Sequence, residues 1–326
     1  MYTNPILDDN FPDPTLLRGP DGWYYAYGSQ TRLADGGIVN IQVARSRDMT
    51  AWEHLGDALP TKPVWAANTQ KFWAPHVSEA AGRYYLYYSA RPDDALDGAL
   101  ALAVAVADGP AGPFADSGRP LLAGPGFTCI DPMAYDDSAT GRRLLYWGSG
   151  FGPLWVRELA VDRLSFAPGS TALALVQPSG RPAAEQDYHR LVEGSWLHPH
   201  GGWNYLFFSG DNCCGAHAHY AVLVARSRHA TGPFEVQQEP VIAANAHWHA
   251  PGHNCVITDA AGQDWLAYHA IDVRRPTFAA IDDSEGYSRR ALLLDRLEYG
   301  PDGWPYVLGS APSWQQQPGP TGGAVL

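Results

Sequence analysis

Three acidic residues and one histidine recur along the chain at intervals of about 60 residues or twice that. They are Asp13, Asp131, Glu193 and His253, and each begins a similar stretch of sequence. In a fold built from radial repeats, equivalent positions of all units meet at one central axis. The sequence therefore predicts that three carboxylates and one imidazole lie close together in space.

Three carboxylates in one site form a distinctive acid–base apparatus. Two of them can hydrolyse a glycosidic bond, because one protonates the leaving oxygen while the other activates water or attacks carbon. A third carboxylate beside the acid would raise its pKa by like-charge repulsion. Taken singly, Asp13 and Asp131 each stand in an Asp-Pro pair and could be ordinary turn residues. Their matching position in the repeat favours catalysis.

Five copies of one sequence pattern predict the strands that position these residues. Each copy has a heading segment, a Gly or Asp turn, an aromatic strand and a further alternating strand, which predicts β-structure. The copies begin at Asp13, Ala74, Asp131, Glu193 and Gly252 and lead to the aromatic segments 22–25, 82–88, 144–147, 202–208 and 264–269. Repeated four-stranded units of this length predict an all-β, five-bladed β-propeller. We expect one domain over residues 1–313 and a Pro/Gly-rich tail over 314–326.

Composition and charge narrow the classes of molecule that the chain is expected to bind. The chain of 326 residues carries a formal net charge of −12, and its Lys and Arg residues are not clustered. This argues against a nucleic-acid or anionic-membrane surface. No apolar run is long enough to span a membrane, and the N-terminus shows no leader pattern. We therefore expect a cytoplasmic enzyme, or a secreted one whose leader has been removed.

The four cysteines fit no zinc pattern. Cys129 lies two residues before Asp131 and Cys255 two residues after His253, so both are expected as buried thiols near the axis. A vicinal disulfide between Cys213 and Cys214 is possible, and the sequence leaves it open.

At these residues the chain resembles glycoside hydrolase family 43, five-bladed β-propeller enzymes acting on arabinose- and xylose-containing polysaccharides. The resemblance runs from residues 4–14 to residues 302–305. It implies that Asp13 is the general base, Glu193 the general acid, and Asp131 the residue that orients the acid and modulates its pKa. It also implies inversion at the anomeric carbon, with the carboxyl groups roughly 6.5–9.5 Å apart.

Two segments resemble the arabinan-degrading members of the family. Residues 251–254 resemble the segment whose His binds a central cation through waters, and residues 209–215 resemble the Cys-Cys loop beside the acid. The resemblance implies a mostly hydrated Ca²⁺ near His253, replaceable by Na⁺ or water, and no organic cofactor. One imidazole alone cannot hold a hard cation. In these members the acid usually begins a Glu-Ala-Pro or Glu-Gly-Pro motif, and here Ser195 stands in place of that Pro.

Sugar recognition needs aromatic faces and multidentate polar groups. Trp73 is the best stacking candidate, and His76 and Trp147 are weaker ones. Arg290 resembles an Arg that reaches the substrate from the last blade, in which case Arg289 points away from it.

Together these features predict an inverting glycoside hydrolase that cleaves α-L-arabinofuranosidic bonds in arabinan or arabino-oligosaccharides, with exo-action. Residues 51–70 and 211–219 are candidates for blocking one end of the groove. A β-xylosidase or an arabinofuranosidase acting on xylan side chains is the alternative enzyme. An inactive carbohydrate-binding propeller is the alternative of a different class.

Overall fold

Five antiparallel sheets supply almost all of the regular structure. The structure is a computed structural model that describes residues 1–281, 286 and 288–321. Over these residues the helical structure consists of three short 3₁₀ turns, at Val64–Ala66, Ala183–Glu185 and Leu308–Ser310. The prediction of an all-β, five-bladed propeller is confirmed, because each sequence copy forms one sheet.

The first two blades each carry an additional element. Blade one consists of β1 (Thr15–Arg18), β2 (Tyr24–Gly28), β5 (Gln42–Ser46) and β6 (Glu53–Asp57), with a side hairpin of β3 (Thr31–Arg32) and β4 (Ile38–Val39). Blade two consists of β7 (Phe72–Ala80), β8 (Arg83–Ala90), β9 (Leu100–Ala107) and β10 (Ala115–Asp116), and β11 (Leu122–Gly124) also pairs with β9.

The other three blades have four strands each. Blade three consists of β12 (Met133–Asp137), β13 (Arg142–Trp147), β14 (Leu154–Glu158) and β15 (Leu173–Val176). Blade four consists of β16 (Val192–His200), β17 (Trp203–Asn212), β18 (His219–Ser227) and β19 (Glu235–Val236). Blade five consists of β20 (Trp248–Thr258), β21 (Asp264–Asp272), β22 (Arg290–Tyr299) and β23 (Pro305–Val307).

Alternating side chains of one strand enter two different cores. In β8, Tyr84, Leu86 and Tyr88 pack in the core shared with blade one. Tyr87, from the opposite face of the strand, packs in the core shared with blade three. A strand between two blades is buried on both faces, and burying a large apolar side chain contributes about 1.5–3 kcal/mol. This explains why the aromatic strands are nearly continuously hydrophobic.

The first strands of the five blades contact one another in a closed ring around the axis. The N-terminal segment closes the propeller, because it runs beside β22 of the last blade. There Ile6 N donates to Leu292 O (2.9 Å) and Phe11 N donates to Arg290 O (2.8 Å). Residues from the two ends of the chain therefore share one sheet.

The described part of the predicted tail packs on the propeller. Trp314 stacks on His247 with ring centroids 4.0 Å apart. Gln317 and Tyr2 exchange two backbone hydrogen bonds (2.8 and 2.9 Å), and Thr321 N donates to the Asp259 carboxylate (2.9 Å). The described residues of the predicted Pro/Gly-rich tail therefore pair with the N-terminal edge of the propeller. Residues 322–326 lie outside the described part of the chain.

Among the described residues, no helix has the length and apolar character needed to cross a lipid bilayer.

Candidate active site

One backbone bend is repeated five times where each blade begins. Its residues have a positive φ, a conformation that costs a non-glycine residue about 1 kcal/mol or more. The five residues are Asp13 (54°), Ala74 (49°), Asp131 (61°), Gly194 (63°) and His253 (48°). In blade four the equivalent of Asp13 is therefore Gly194 and not Glu193, which precedes the bend. The predicted register was shifted by one residue in this blade.

Each of four bends is hydrogen-bonded to the preceding blade by a side-chain acceptor in the last part of that blade's second strand or just past it. Four amides donate in this way: Ala74 N to Ser29 Oγ (2.7 Å), Asp131 N to Ser89 Oγ (3.0 Å), His253 N to Ser209 Oγ (2.7 Å) and Asp13 N to His269 Nδ1 (3.1 Å). Because these acceptors join neighbouring blades, they fix the functional residues relative to one another.

The junction between blades three and four breaks this pattern. Ser149 occupies the equivalent position there, but its hydroxyl donates to Glu193 Oε2 (2.7 Å). The Gly194 amide turns instead to Asp131 Oδ2 (3.1 Å). The Tyr220 hydroxyl donates to Glu193 Oε1 (2.7 Å). Both oxygens of Glu193 are thus held by hydroxyls, and Asp131 is linked to the backbone directly after Glu193.

Asp13 is in contact with one cation, one hydroxyl donor and two imidazoles. Arg290 Nη1 donates to its Oδ1 (2.9 Å), and the Ser29 hydroxyl donates to its Oδ2 (2.5 Å). The Nδ1 atoms of His269 and His253 lie 3.4 and 3.5 Å from Oδ1. Burial alone would raise the pKa of Asp13, but the Arg290 charge and these neighbours hold it well below its usual range. Asp13 is therefore ionised at neutral pH.

Asp131 lies in the opposite electrostatic environment. It is buried, and among the residues that the structure describes no cation contacts its carboxyl as closely as Arg290 contacts Asp13. Burial and the charges of Glu193 and Asp13 hold the pKa of Asp131 well above its usual range. Burial first, and like-charge repulsion second, thus favour the protonated form of Asp131, whereas the sequence predicted that the repulsion would act on the acid.

The three carboxylates open into a cavity of about 330 Å³. Trp73 and Phe127 stack on its wall with ring centroids 6.3 Å apart and an interplanar angle of 16°. Cys213 and Cys214, which are joined in a disulfide, also line it. The cavity therefore offers aromatic faces beside the acidic groups, as sugar binding requires. A larger cavity of about 680 Å³ lies between blade five and the residues after 313, and it contains none of the predicted site residues.

Two of the four predicted sugar-binding residues line the cavity, and two do not. Trp73 and Arg290 lie on its wall, and Arg289 turns away to Asp8 (2.8 Å) as expected. Trp147 is 3% exposed and packs against Phe166, inside blade three.

His76 is likewise buried, with its ring against Trp196. Burial lowers the pKa of His76 to about 4, so the ring is neutral. His76 and Trp147 lie on strands whose two faces are covered by neighbouring blades, and this burial removes both from the sugar-binding set. The free thiols of Cys129 and Cys255 are buried, as the sequence predicted.

The residues that hold the carboxylates were not among those predicted from the sequence. Four serines and one histidine stand 60 residues apart, at positions 29, 89, 149, 209 and 269. That regular spacing in the sequence could have predicted the hydrogen bonds that join neighbouring blades. Tyr220 carried no such signal, since it lies in the third strand of blade four among buried apolar residues.

The donors around His253 fit a hydrated hard cation. Its Nδ1 lies 3.5 Å from Asp13 Oδ1 and 4.0 Å from Asp131 Oδ2. Gly194 leaves room there, because a Cβ at this residue would lie 3.2 Å from His253 Nδ1. The neighbouring Asn254 is 2% exposed, and its amide oxygen and nitrogen have no hydrogen-bond partner among the described residues. Carboxylate and amide oxygens are the donors that Ca²⁺ prefers.

An ionised carboxylate and a second, hydroxyl-held carboxylate facing one sugar-sized cavity define a glycoside hydrolase on a five-bladed propeller. Residues 2–305 match the model of glycosyl hydrolases family 43, and the chain belongs to this family.

Similar proteins span nearly the same length. A probable arabinan endo-1,5-α-L-arabinosidase B of Aspergillus fumigatus is 29% identical over 318 residues, covering 82% of each chain. An extracellular exo-α-(1→5)-L-arabinofuranosidase of Cellvibrio japonicus is 26% identical, covering 90% of this chain and 85% of its own. The crystal structure of a thermostable family-43 glycoside hydrolase is 26% identical and superposes with a TM-score of 0.79, covering 99% of this chain and 100% of its own.

Proposed function

We propose that this enzyme hydrolyses α-L-arabinofuranosidic bonds in arabinan or arabino-oligosaccharides with inversion, and that it acts from chain ends. The observation that carries the proposal is the unequal setting of the carboxylates around one cavity. Asp13 is paired with Arg290, whereas Glu193 is held by two neutral hydroxyls. The names of the similar arabinan-degrading proteins support the choice of sugar.

In this mechanism Asp13 is the general base. It takes a proton from water while the water oxygen bonds to the anomeric carbon. The bond from that carbon to the glycosidic oxygen breaks, and Glu193 gives its proton to the departing oxygen. Water attacks from the face opposite the leaving group, so the configuration inverts. Arg290 and Ser29 hold Asp13 in one orientation throughout.

Asp131 is a positioning residue. Its Oδ2 accepts the Gly194 amide, which follows Glu193 directly in the chain. This bond fixes the backbone from which the acid projects. When Glu193 has given up its proton, the Ser149 and Tyr220 hydroxyls donate to its two oxygens and stabilise the carboxylate.

A mostly hydrated Ca²⁺ near His253 is part of the proposal. When bound, it would add positive charge beneath the carboxylates, which favours the ionised form of Asp13. Asp13 and Asp131 are the oxygen donors available to it or to its waters.

Contacts of the loop between β21 and β22 in blade five support exo-action; the structure describes residues 273–281, 286 and 288–289 of this loop. Phe278 of this loop lines the cavity. On one flank Ser288 Oγ accepts the Gly215 amide (2.6 Å), and on the other Arg32 Nε donates to Ala280 O (3.0 Å). Residues 278–280 and Ser288, held by these contacts, can close one end of a groove. Of the two segments expected to block the groove, 211–219 contributes lining residues and 51–70 contributes none among those described.

Two measurements test this function. Initial rates on an aryl α-L-arabinofuranoside and an aryl β-D-xylopyranoside decide the sugar, and we expect the first to be at least about tenfold faster, the lower end of the discrimination that a small difference in fit supplies. The opposite ranking would make the enzyme a β-xylosidase, and no turnover of either would favour a binding protein. Products from linear arabinan then decide the mode of action. Early mixed oligomers with a rapid fall in viscosity would mean endo-cleavage.

A further inference from the structure

A second cluster of chemically capable side chains lies at the other end of the propeller. His198 and His200 stand at the end of β16, whereas Glu193 stands near its beginning. Asp264 is the first residue of β21 in the adjacent blade. At roughly 3.3 Å per strand residue, His198 lies about 16 Å along the strand from Glu193. The cluster is therefore separate from the catalytic cavity and joins blades four and five.

The three side chains converge on one point. His198 Nε2 lies 2.9 Å and His200 Nδ1 lies 3.1 Å from the same atom, Asp264 Oδ2. The three candidate ligand atoms all lie within 4.8 Å of one another. Ligands about 2.0–2.1 Å from a tetrahedral zinc ion are about 3.3 Å apart. The two His–Asp separations thus need to change by only a few tenths of an ångström, and the two imidazole nitrogens, which lie within 4.8 Å of each other, need to approach by at most about 1.5 Å.

Surrounding side chains hold these groups in place. Thr258 Oγ1 donates to Asp264 Oδ1 (2.6 Å) and the Tyr299 hydroxyl donates to Oδ2 (2.9 Å), so the carboxylate is held with Oδ2 near the imidazoles. The ring of Tyr299 stacks on His200 with centroids 3.6 Å apart and an interplanar angle of 10°. Ligating carboxylates and imidazoles in metal sites are supported in this way by a surrounding shell.

The cluster is also accessible from one side. The side chains of Asp264 and His198 are 5% and 14% exposed, whereas that of His200 is 43% exposed. An ion can enter past His200, and a water molecule can complete its coordination on that side. Two imidazoles, one carboxylate and one water make a ligand set typical of Zn²⁺.

We propose that His198, His200 and Asp264 bind a first-row divalent cation, best matched by Zn²⁺, which links blades four and five at the end opposite the active site. The ion takes the place of the two histidine contacts to one carboxylate oxygen. Because both blades supply ligands, binding stabilises the closed ring of blades and leaves the catalytic residues untouched.

Zinc titration of the purified full chain tests this proposal. We expect calorimetry with ZnCl₂ to show one equivalent bound, with a rise in Tm. His200→Gln and His198→Gln should each weaken that binding at least about tenfold and abolish the Tm rise, since each removes one of three ligands. His54→Gln is the matched control, because His54 also contacts an Asp carboxylate at 3.0 Å and is 40% exposed but belongs to no cluster of three metal-ligating side chains in the described part of the chain. It should bind zinc like the wild type.

Cobalt gives a second readout that does not depend on stability. Co²⁺ at this site should show the visible absorption of a four- or five-coordinate ion, and His200→Gln should lose it. Because His200 is partly exposed, that variant should fold, which its Tm without metal checks. Absence of zinc binding in the wild type, or binding that survives both histidine substitutions, would overturn the proposal and leave a hydrogen-bonded His–Asp–His cluster.

Discussion

The division of roles between Glu193 and Asp13 can be tested with substrates that differ in their leaving group. We expect Glu193→Gln to reduce kcat on arabino-oligosaccharides by about 10²–10⁴-fold, the usual contribution of a general acid. That corresponds to about 3–5 kcal/mol. On an aryl arabinofuranoside whose leaving group needs little protonation, the loss should stay within about tenfold. Asp13→Asn should instead reduce both rates by about 10² or more, because no water is activated in either case.

The structure separates this effect from misfolding. Gln keeps the shape of Glu193, and one of the two hydroxyls that donate to it, Ser149 or Tyr220, can turn to accept from the amide. The stability cost is then about 1 kcal/mol, the net value of one hydrogen bond. Asn at position 13 places an amide beside Arg290, so its Tm must be measured alongside its rates. Equal losses on both substrates for both variants, with folding intact, would refute the assignment.

Three further outcomes follow from the contacts described. Tyr220→Phe should lower kcat about tenfold or more, since it removes a donor to the charged form of Glu193; unchanged kinetics would show that the hydroxyl gives the acid no support. Trp73→Ala should raise KM about tenfold with a smaller change in kcat, because stacking on the Trp73 ring stabilises the bound substrate and the transition state alike. Steady-state kinetics on oligosaccharides measure both constants, and a fall in kcat alone would contradict this role. Burial raises the pKa of the Asp295 carboxyl. The folded protein therefore keeps a proton on Asp295 that the unfolded chain loses above about pH 4, and the free energy of unfolding falls as the pH rises above that value. The Tm of Asp295→Asn relative to wild type should therefore be higher at pH 7 than at pH 4 by roughly 2 °C or more, and an equal difference at both values would count against it.

Much of the architecture was readable from the sequence because the two-residue alternation and the 60-residue repeat are both dictated by packing. A strand between two blades must be apolar on both faces, so aromatic runs such as the one in β8 mark the blades directly. The meeting of Asp13, Asp131 and Glu193 followed from the repeat alone. Their partners were harder to predict, because hydrogen bonds between blades join residues that are distant in sequence.

The errors have physical causes of the same kind. Glu193 was placed one residue out of register because Gly194 takes the positive φ and has no side chain to reveal its role. Trp147 and His76 look like sugar-binding residues by type, but the same types fill the cores between blades. Side-chain type cannot distinguish these cases until the face of each strand is known.

The positive-φ bend that all five blades share bears on how the residues at the centre of the propeller can change during evolution. All five blades present one residue to the centre with the same backbone shape, and the residues now found there are two aspartates, one histidine, one glycine and one alanine. Aspartate, histidine and glycine are favoured with positive φ, so the bend tolerates the types that supply charge, a ligand or free space. Duplicated units can therefore diverge one side chain at a time while the scaffold stays the same. New chemistry in this architecture requires no new loop, only a different occupant of one of five prepared positions.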